Sequence, residues 1–372
     1  MILKKKEISF GLTLALSSLI NYAYIVLLNN SFDKASEFYL SQAISIILTS
    51  LFSIGLVNSV LKFNKTNNLI LTLAASLISI LFSSIILFYF VSFKAALLPI
   101  VIIVDLFFFY FRSVGLFKEF FVAKISYALI PLILFYYFEI DPYYLVLITG
   151  IIIVVSFFNK LKLDNSSFKN LNIESKQIEY AWPIGLNTLL RTFISYFDQI
   201  VLLVLLTQFD LNDYTKLIKL SMGFRLAFAL PHVRLLPFYL VDFSNKYKLF
   251  GLKKFYNYYI LIIFIILILT SKYIINIFSI SDDFIFSTLV LIISESIRAL
   301  SSFTQLYYSA INKTINNVYG NLLALIVVIT LFYPSYTYYG LSGLVFIQFI
   351  SSLSLILYHS WKVKKIKKQS VL

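Results

Sequence analysis

The segment "LNTLLRTFISYFDQIVLLVLL", Leu186–Leu206, carries an arginine and an aspartate inside an otherwise oily stretch. Asn187, Thr188, Arg191, Thr192, Ser195, Asp198 and Gln199 share one face at helical spacing, and Leu189, Leu190, Phe193, Phe197, Ile200 and Val201 cover the rest. A second segment repeats the pattern: Glu295, Arg298, Ser302 and Gln305 follow one another at steps of three, four and three residues. A third holds Arg225, His232 and Arg234, with Pro231 and Pro237 among them. A guanidinium offers a planar fork of N–H donors that matches phosphate oxygens. The Ser, Thr, Asn and Gln residues beside it can hydrogen-bond hydroxyl groups. The chemistry these residues offer is recognition of an anion that also bears hydroxyls, with no covalent step.

A charge at the centre of a bilayer costs at least ~2.5–3.5 kcal/mol by insertion scales, so these faces must meet protein or water. At 1.5 Å per residue, Arg191 lies roughly 15 Å from the inner end of its span, Arg225 roughly 16 Å and Arg298 roughly 21 Å from the outer ends of theirs. All three are therefore expected to face one cavity near mid-membrane, with Asn187 and Gln305 as polar neighbours and Asp198 and Glu295 as the nearby carboxylates. Arginines outnumber carboxylates in this half, and a buried positive excess calls for an anion or water. The competing reading is structural: Glu295 and Arg298 are three residues apart and can pair along one helix, whereas Arg191 and Asp198, seven apart, pair less easily. His232 reads as a helix-packing residue. In the other half, Asp105 is isolated in "PIVIIVDLFFFYF" and Lys124 lies in the next span. Asp105 could pair with Lys124, or bind a proton or Na⁺ as an energy-coupling site. Gln42 and Asn21 read as interhelical hydrogen-bonding residues.

The elements that position these groups are membrane spans. Hydrophobic residues make up 60% of the 372 and charged residues 13%, and the mean hydropathy is +0.89. Soluble domains carry about 25% charged residues. Apolar runs repeatedly reach the ~20 residues that cross about 30 Å of hydrocarbon. Cysteine is absent, which excludes disulfides, Cys-ligated metals and thiol catalysis. His232 and His359 have no partners at metal-ligand spacing, and no phosphate loop or GxSxG appears. No cofactor is expected beyond a possible H⁺ or Na⁺ gradient, and no enzyme chemistry.

The runs divide into twelve spans, six on each side of "NKLKLDNSSFKNLNIESKQIEY". The expected organisation is an N-terminal six-helix lobe over 1–160, a cytoplasmic linker over 161–178 and a C-terminal six-helix lobe over 179–372. Basic residues gather at Lys4, Lys5 and Lys6, in the central linker, and at Lys362, Lys364, Lys365, Lys367 and Lys368; the segments placed outside hold only Lys34, Lys94, Lys216, Lys219 and Lys272. The positive-inside rule then puts both termini in the cytoplasm. Most of the net charge of +14 is thus a topology signal, and nucleic acid is not an expected partner. Tyr136, Tyr137, Tyr143 and Tyr144 read as interfacial anchors.

The stretch "EYAWPIGLNTLLRTFISYFDQIVLLVLL…NDYTKLIKLSMGFRLAFALPHVRLLPF" resembles the start of the second lobe of polysaccharide exporters. A proline enters span seven, an aspartate follows its centre, a tyrosine opens span eight and a proline stands near its end. The match is to Wzx-type O-antigen flippases of the multidrug/oligosaccharidyl-lipid/polysaccharide exporter (MOP) superfamily, and Asp198 falls on that family's recurrent aspartate. The layout covers the whole chain; the motif covers mainly Glu179–Phe238. The resemblance implies paired six-helix lobes of the MATE type in the bacterial inner membrane. It also implies transport of an undecaprenyl-diphosphate-linked oligosaccharide to the outer leaflet, beside other polysaccharide assembly proteins. The lipid-II flippase branch has arginines in its first spans, and these are missing here. Two other functions fit the composition: a cation-coupled multidrug exporter, which would want surplus carboxylates, and a membrane polysaccharide polymerase, which would want a large outer loop.

Overall fold

A computed structural model describes residues 2–32, 34–53, 55–59, 66–161, 175–205, 214, 216–221, 223–225, 227–228, 246–278, 280–310 and 313–369. The expected linker falls mostly outside these residues, as do His232 and Arg234. The chain divides into two compact units, Met1–Thr192 and Phe193–Leu372, and the division falls within a helix.

The first unit contains α1 (Ile2–Ser31), α2 (Ala35–Ser53), the short α3 (Leu56–Ser59), α4 (Thr66–Phe90), α5 (Val101–Val114) led in by a 3₁₀ turn (Ala95–Ile100), α6 (Phe117–Phe138) and α7 (Pro142–Phe157). The helix α8 (Ser175–Leu205) starts in this unit and ends in the next. The expected second span thus breaks at Gly55, which has φ +72. A Cβ there would lie 2.3 Å from the Ala181 carbonyl oxygen and 2.5 Å from the Gly185 nitrogen, so the turn meets α8 backbone to backbone.

Local signals set the helix ends. Gly115 caps α5 at φ 80, where glycine carries no Cβ penalty. Asp141 caps α7 by accepting from the Tyr143 amide, with Pro142 in the first turn. The Asp141 carboxylate also accepts from Lys94 Nζ at 2.6 Å, and this hydrogen bond raises the Lys94 pKa above its ordinary 10.5. A raised pKa for a cation means the tie is intact below pH 10.5 and is lost only as pH climbs through the higher folded value. At pH 9, acylation of Lys94 by an amine-reactive reagent is expected to be several-fold slower than in an Asp141→Asn variant, as read by peptide mass spectrometry. Equal rates would refute the tie.

Leu28, Phe38, Tyr39, Leu87, Leu98, Phe135, Tyr143 and Leu145 form the core near this end of the first unit. Tyr39 satisfies its buried hydroxyl on Asn29 Oδ1 at 2.8 Å. Tyr143, expected as an interfacial anchor, is instead packed edge-on against Phe38 and hydrogen-bonded to Ser41. Tyr136 and Tyr137 remain exposed, as anchors should be.

The second unit contains the helical residues between 214 and 228, here α9, then α10 (Lys246–Ile277), α11 (Ile285–Ala310) and α12 (Ile315–Gln369). Gly340 interrupts α12 with φ 58 and ψ −142. Gly320 faces Tyr358 and His359, and Gly343 faces Ser335, so the two parts of α12 run antiparallel as separate spans. Ile194, Tyr214, Leu217, Leu291, Val328, Leu344 and Val345 form the core.

Large apolar side chains also cover the outside. Leu261, Ile262, Ile265, Ile266 and Leu269 on α10, and Leu77, Ile78, Leu81 and Phe82 on α4, are exposed. A surface of this kind suits hydrocarbon as its solvent. Among the described residues, eight helical segments are long and apolar enough to cross a membrane, one being the double-length Ile315–Val363. Among the described residues the chain is all-helical, and it is a multi-pass membrane protein, as the hydropathy pattern predicts.

Candidate functional site

Asp198, Arg225, Glu295 and Arg298 of the second unit join one hydrogen-bonded circuit through four helices. Glu295 and Arg298 lie one turn apart on α11, and Arg298 Nη1 donates to Glu295 Oε1 at 2.8 Å. Arg225 of α9 grips the same carboxylate with both arms of its fork, Nε to Oε2 and Nη2 to Oε1, each at 2.8 Å. Arg225 Nη1 also donates to Ser195 Oγ of α8 at 3.1 Å. Arg298 Nη2 donates to Gln348 Oε1 of α12 at 3.1 Å. The Gln348 amide nitrogen donates to the Ile194 carbonyl at 3.0 Å and reaches Asp198 Oδ2 at 3.4 Å. The Tyr214 hydroxyl donates to that same carboxylate oxygen and closes the loop back to α9.

Small residues allow α11 and α12 to approach closely enough for this. Ser294 donates to the Gln348 carbonyl at 3.0 Å and hydrogen-bonds Ser352 at 2.8 Å, an interhelical use of hydroxyls that suits a membrane interior. The circuit is dry at one side: Asp198 and Glu295 are each 2% exposed. It opens at the other, because the Arg225 side chain stays 24% exposed. Glu295 balances only one of the two guanidiniums it touches. Lys216 and Lys219 are buried in the same unit, the latter with its ammonium 5.9 Å from the Tyr196 ring. The interior of this unit is net positive among the described residues.

The expected site residues distribute as follows. Arg191, exposed, and Asn187, half-buried, belong to the first unit; Arg225, Arg298, Asp198, Glu295 and Gln305 belong to the second. Gln305 is buried against α12, its carbonyl accepting from Asn317 Nδ2 at 3.0 Å. Lys216 and Lys219, read from sequence as outer-loop charges, are buried helical residues instead; Tyr214 and the core around it draw the start of α9 inward.

Asp105 and Lys124 do not form a salt bridge among the described residues. The Lys124 ammonium lies 4.3 Å from the Phe108 ring centre, a cation–π contact. Asp105 is exposed to a cavity of about 270 Å³ inside the first unit, lined by Gln42, Ser45, Thr49, Ser50 and Ser53 of α2, Phe109 of α5 and Thr188 of α8. The α2 residues recur at helical spacing, so the stripe was visible in the sequence. Of this stripe the sequence reading singles out only Gln42, as an interhelical hydrogen-bonding residue, because uncharged polar side chains in a span have that use more often. Gln348 was missed for the same reason.

No protein-family model matches the sequence, and no curated protein matches it. The architecture is that of the MATE transporters of the MOP superfamily, a twelve-helix fold. A multidrug-resistance MATE transporter in its inward-facing conformation superposes with a TM-score of 0.73 at 13% identity, over 96% of both chains. Its outward-facing conformation gives 0.73 at 12% identity, over 98% of this chain and 96% of that one. A MOP superfamily transporter from Pyrococcus furiosus, described as having a binding pocket of reverse polarity, gives 0.71 at 11% identity, over 98% and 97%. Identities this low establish the fold.

Proposed function

We propose that this protein is a flippase that moves an undecaprenyl-diphosphate-linked oligosaccharide from the inner to the outer leaflet of the bacterial cytoplasmic membrane. The observation that carries the reading is the polar interior of the second unit, net positive among the described residues, with Arg225 presented at its open side. Arg225 is the diphosphate contact: three of its N–H directions are fixed by Glu295 and Ser195, which pre-organises the rest of the fork. Arg298 and Glu295 position it. A diphosphate head group is costly to draw through hydrocarbon, and fixed guanidiniums lower that cost. Alternating exposure of the site to the two leaflets then completes transport, driven by an ion gradient.

Arg225→Ala is the test. Arg298 still neutralises Glu295 in that variant, so folding and cargo binding separate. The expected result is surface polysaccharide reduced about tenfold or more, the scale of a lost charge-assisted hydrogen bond, with lipid-linked repeat units accumulating on the inner leaflet at unchanged protein level. Normal surface polysaccharide would overturn the reading.

A second reading, a multidrug exporter, draws support from the names of the structural neighbours and from the carboxylate of Asp105 in the first unit's cavity. It predicts extrusion of cationic dyes that depends on Asp105 and is indifferent to Arg225.

A further inference from the structure

We propose that the cavity between α2 and α5 is a carbohydrate subsite that holds a single sugar ring. The proposal rests on the flippase reading for its biological sense, but its argument is separate. Gln42, Ser45, Thr49 and Ser53 form a polar stripe that runs roughly 16 Å along α2 at helical rise, and all four line the cavity. Some of its hydroxyl protons are already committed inside the helices. Thr49 donates to the Ser45 carbonyl at 2.8 Å and Thr188 to the Ile184 carbonyl at 2.9 Å. Their oxygens therefore present lone pairs to the cavity. Asp105 adds a carboxylate, an acceptor without donors when ionised, and Gln42 adds both kinds of group.

An acceptor-rich wall selects a ligand rich in donors, and a sugar's hydroxyls are such donors. The remaining wall is apolar, with Ile46, Val57, Ile102 and the Phe109 ring. A sugar ring has a C–H face to lay on it; a bare inorganic cation has no use for it. Size points the same way. The cavity's 270 Å³ lies just under the ~300–1,000 Å³ typical of ligand sites, which suits one ring and excludes a whole repeat unit. Asp105, weighed from sequence as a gradient-coupling residue, becomes a cargo-orienting acceptor.

The experiment is calorimetric titration of the purified full-length protein in detergent with a panel of neutral methyl glycosides, including those of glucose, galactose, mannose and N-acetylglucosamine. Sodium chloride and tetraphenylphosphonium are titrated in parallel. The expected result is saturable binding of at least one glycoside in the millimolar range, weakened roughly tenfold or more by Asp105→Asn and by Thr49→Val, each of which preserves side-chain shape. Two variants guard against one that misfolds, and a melting curve scores folding for each. Absence of glycoside binding, glycoside binding that both variants leave intact, or binding of sodium or tetraphenylphosphonium alone would each overturn the proposal. No lipid carrier is present in the titration. A missing glycoside signal in a protein whose export still depends on Arg225 therefore removes the sugar cavity and leaves the flippase reading standing.

Discussion

Glu295→Gln is expected to destabilise the protein by about 3–5 kcal/mol, the usual consequence of removing one partner from a buried charge cluster. The carboxylate receives both arms of Arg225 and one of Arg298, and is 2% exposed. A carboxamide of the same shape carries no charge and turns a donor group toward one of the two guanidiniums. Two cations would then face each other, Arg298 in the buried interior and Arg225 at its open side. In a unit of this length the loss corresponds to a fall in melting temperature on the order of 10 °C, measurable by intrinsic fluorescence in detergent. A companion variant, Glu295→Gln with Arg298→Met, removes one of the stranded cations and is expected to recover a large part of the loss, because residues in one network are non-additive. Melting of the single variant within a degree or two of the parent would show that the circuit does not hold the helices together.

Gly55→Ala is expected to keep the protein from reaching its folded state in quantity. The left-handed backbone at φ +72 costs an alanine about 1–2 kcal/mol. The larger penalty is steric, since the new Cβ would sit 2.3 Å from one backbone atom of α8 and 2.5 Å from another. Backbone cannot rotate aside as a side chain can, so the turn and α8 must separate, at a further ~1–3 kcal/mol or more. Gly115→Ala is the matched control: its φ is +80, also left-handed, but the nearest atom to the added Cβ is Phe117 Cε2 at 3.6 Å, an ordinary contact. Size-exclusion profiles of fluorescently tagged variants should show far less monodisperse Gly55→Ala than Gly115→Ala. Equal yields would mean that the close approach is not required.

Hydropathy located the spans because a long apolar run has few other uses, and the break at Gly340 falls where two runs meet. The charged face of α11 was legible too, since Glu295 and Arg298 are close in the chain. Their third partner was not: Arg225 is 70 residues from Glu295, and no periodicity says which helix faces which. The same applies to Tyr214 with Asp198 and to Gln348, a neutral residue whose importance comes from the two charges it bridges. Lys216 and Lys219 misled because a topology count treats a lysine near a span end as wet. The cavity stripe on α2 was written in plain spacing; only its opposition to Asp105, across helices, gives it meaning.

The reversal at Gly340 bears on how the chain is made. With one non-helical residue between them, the last two spans have no loop in which the first could settle alone while the second waits at the ribosome. They are expected to enter the bilayer together as a hairpin, and the positive-inside rule would keep the lysines that follow Trp361 on the side where synthesis occurs.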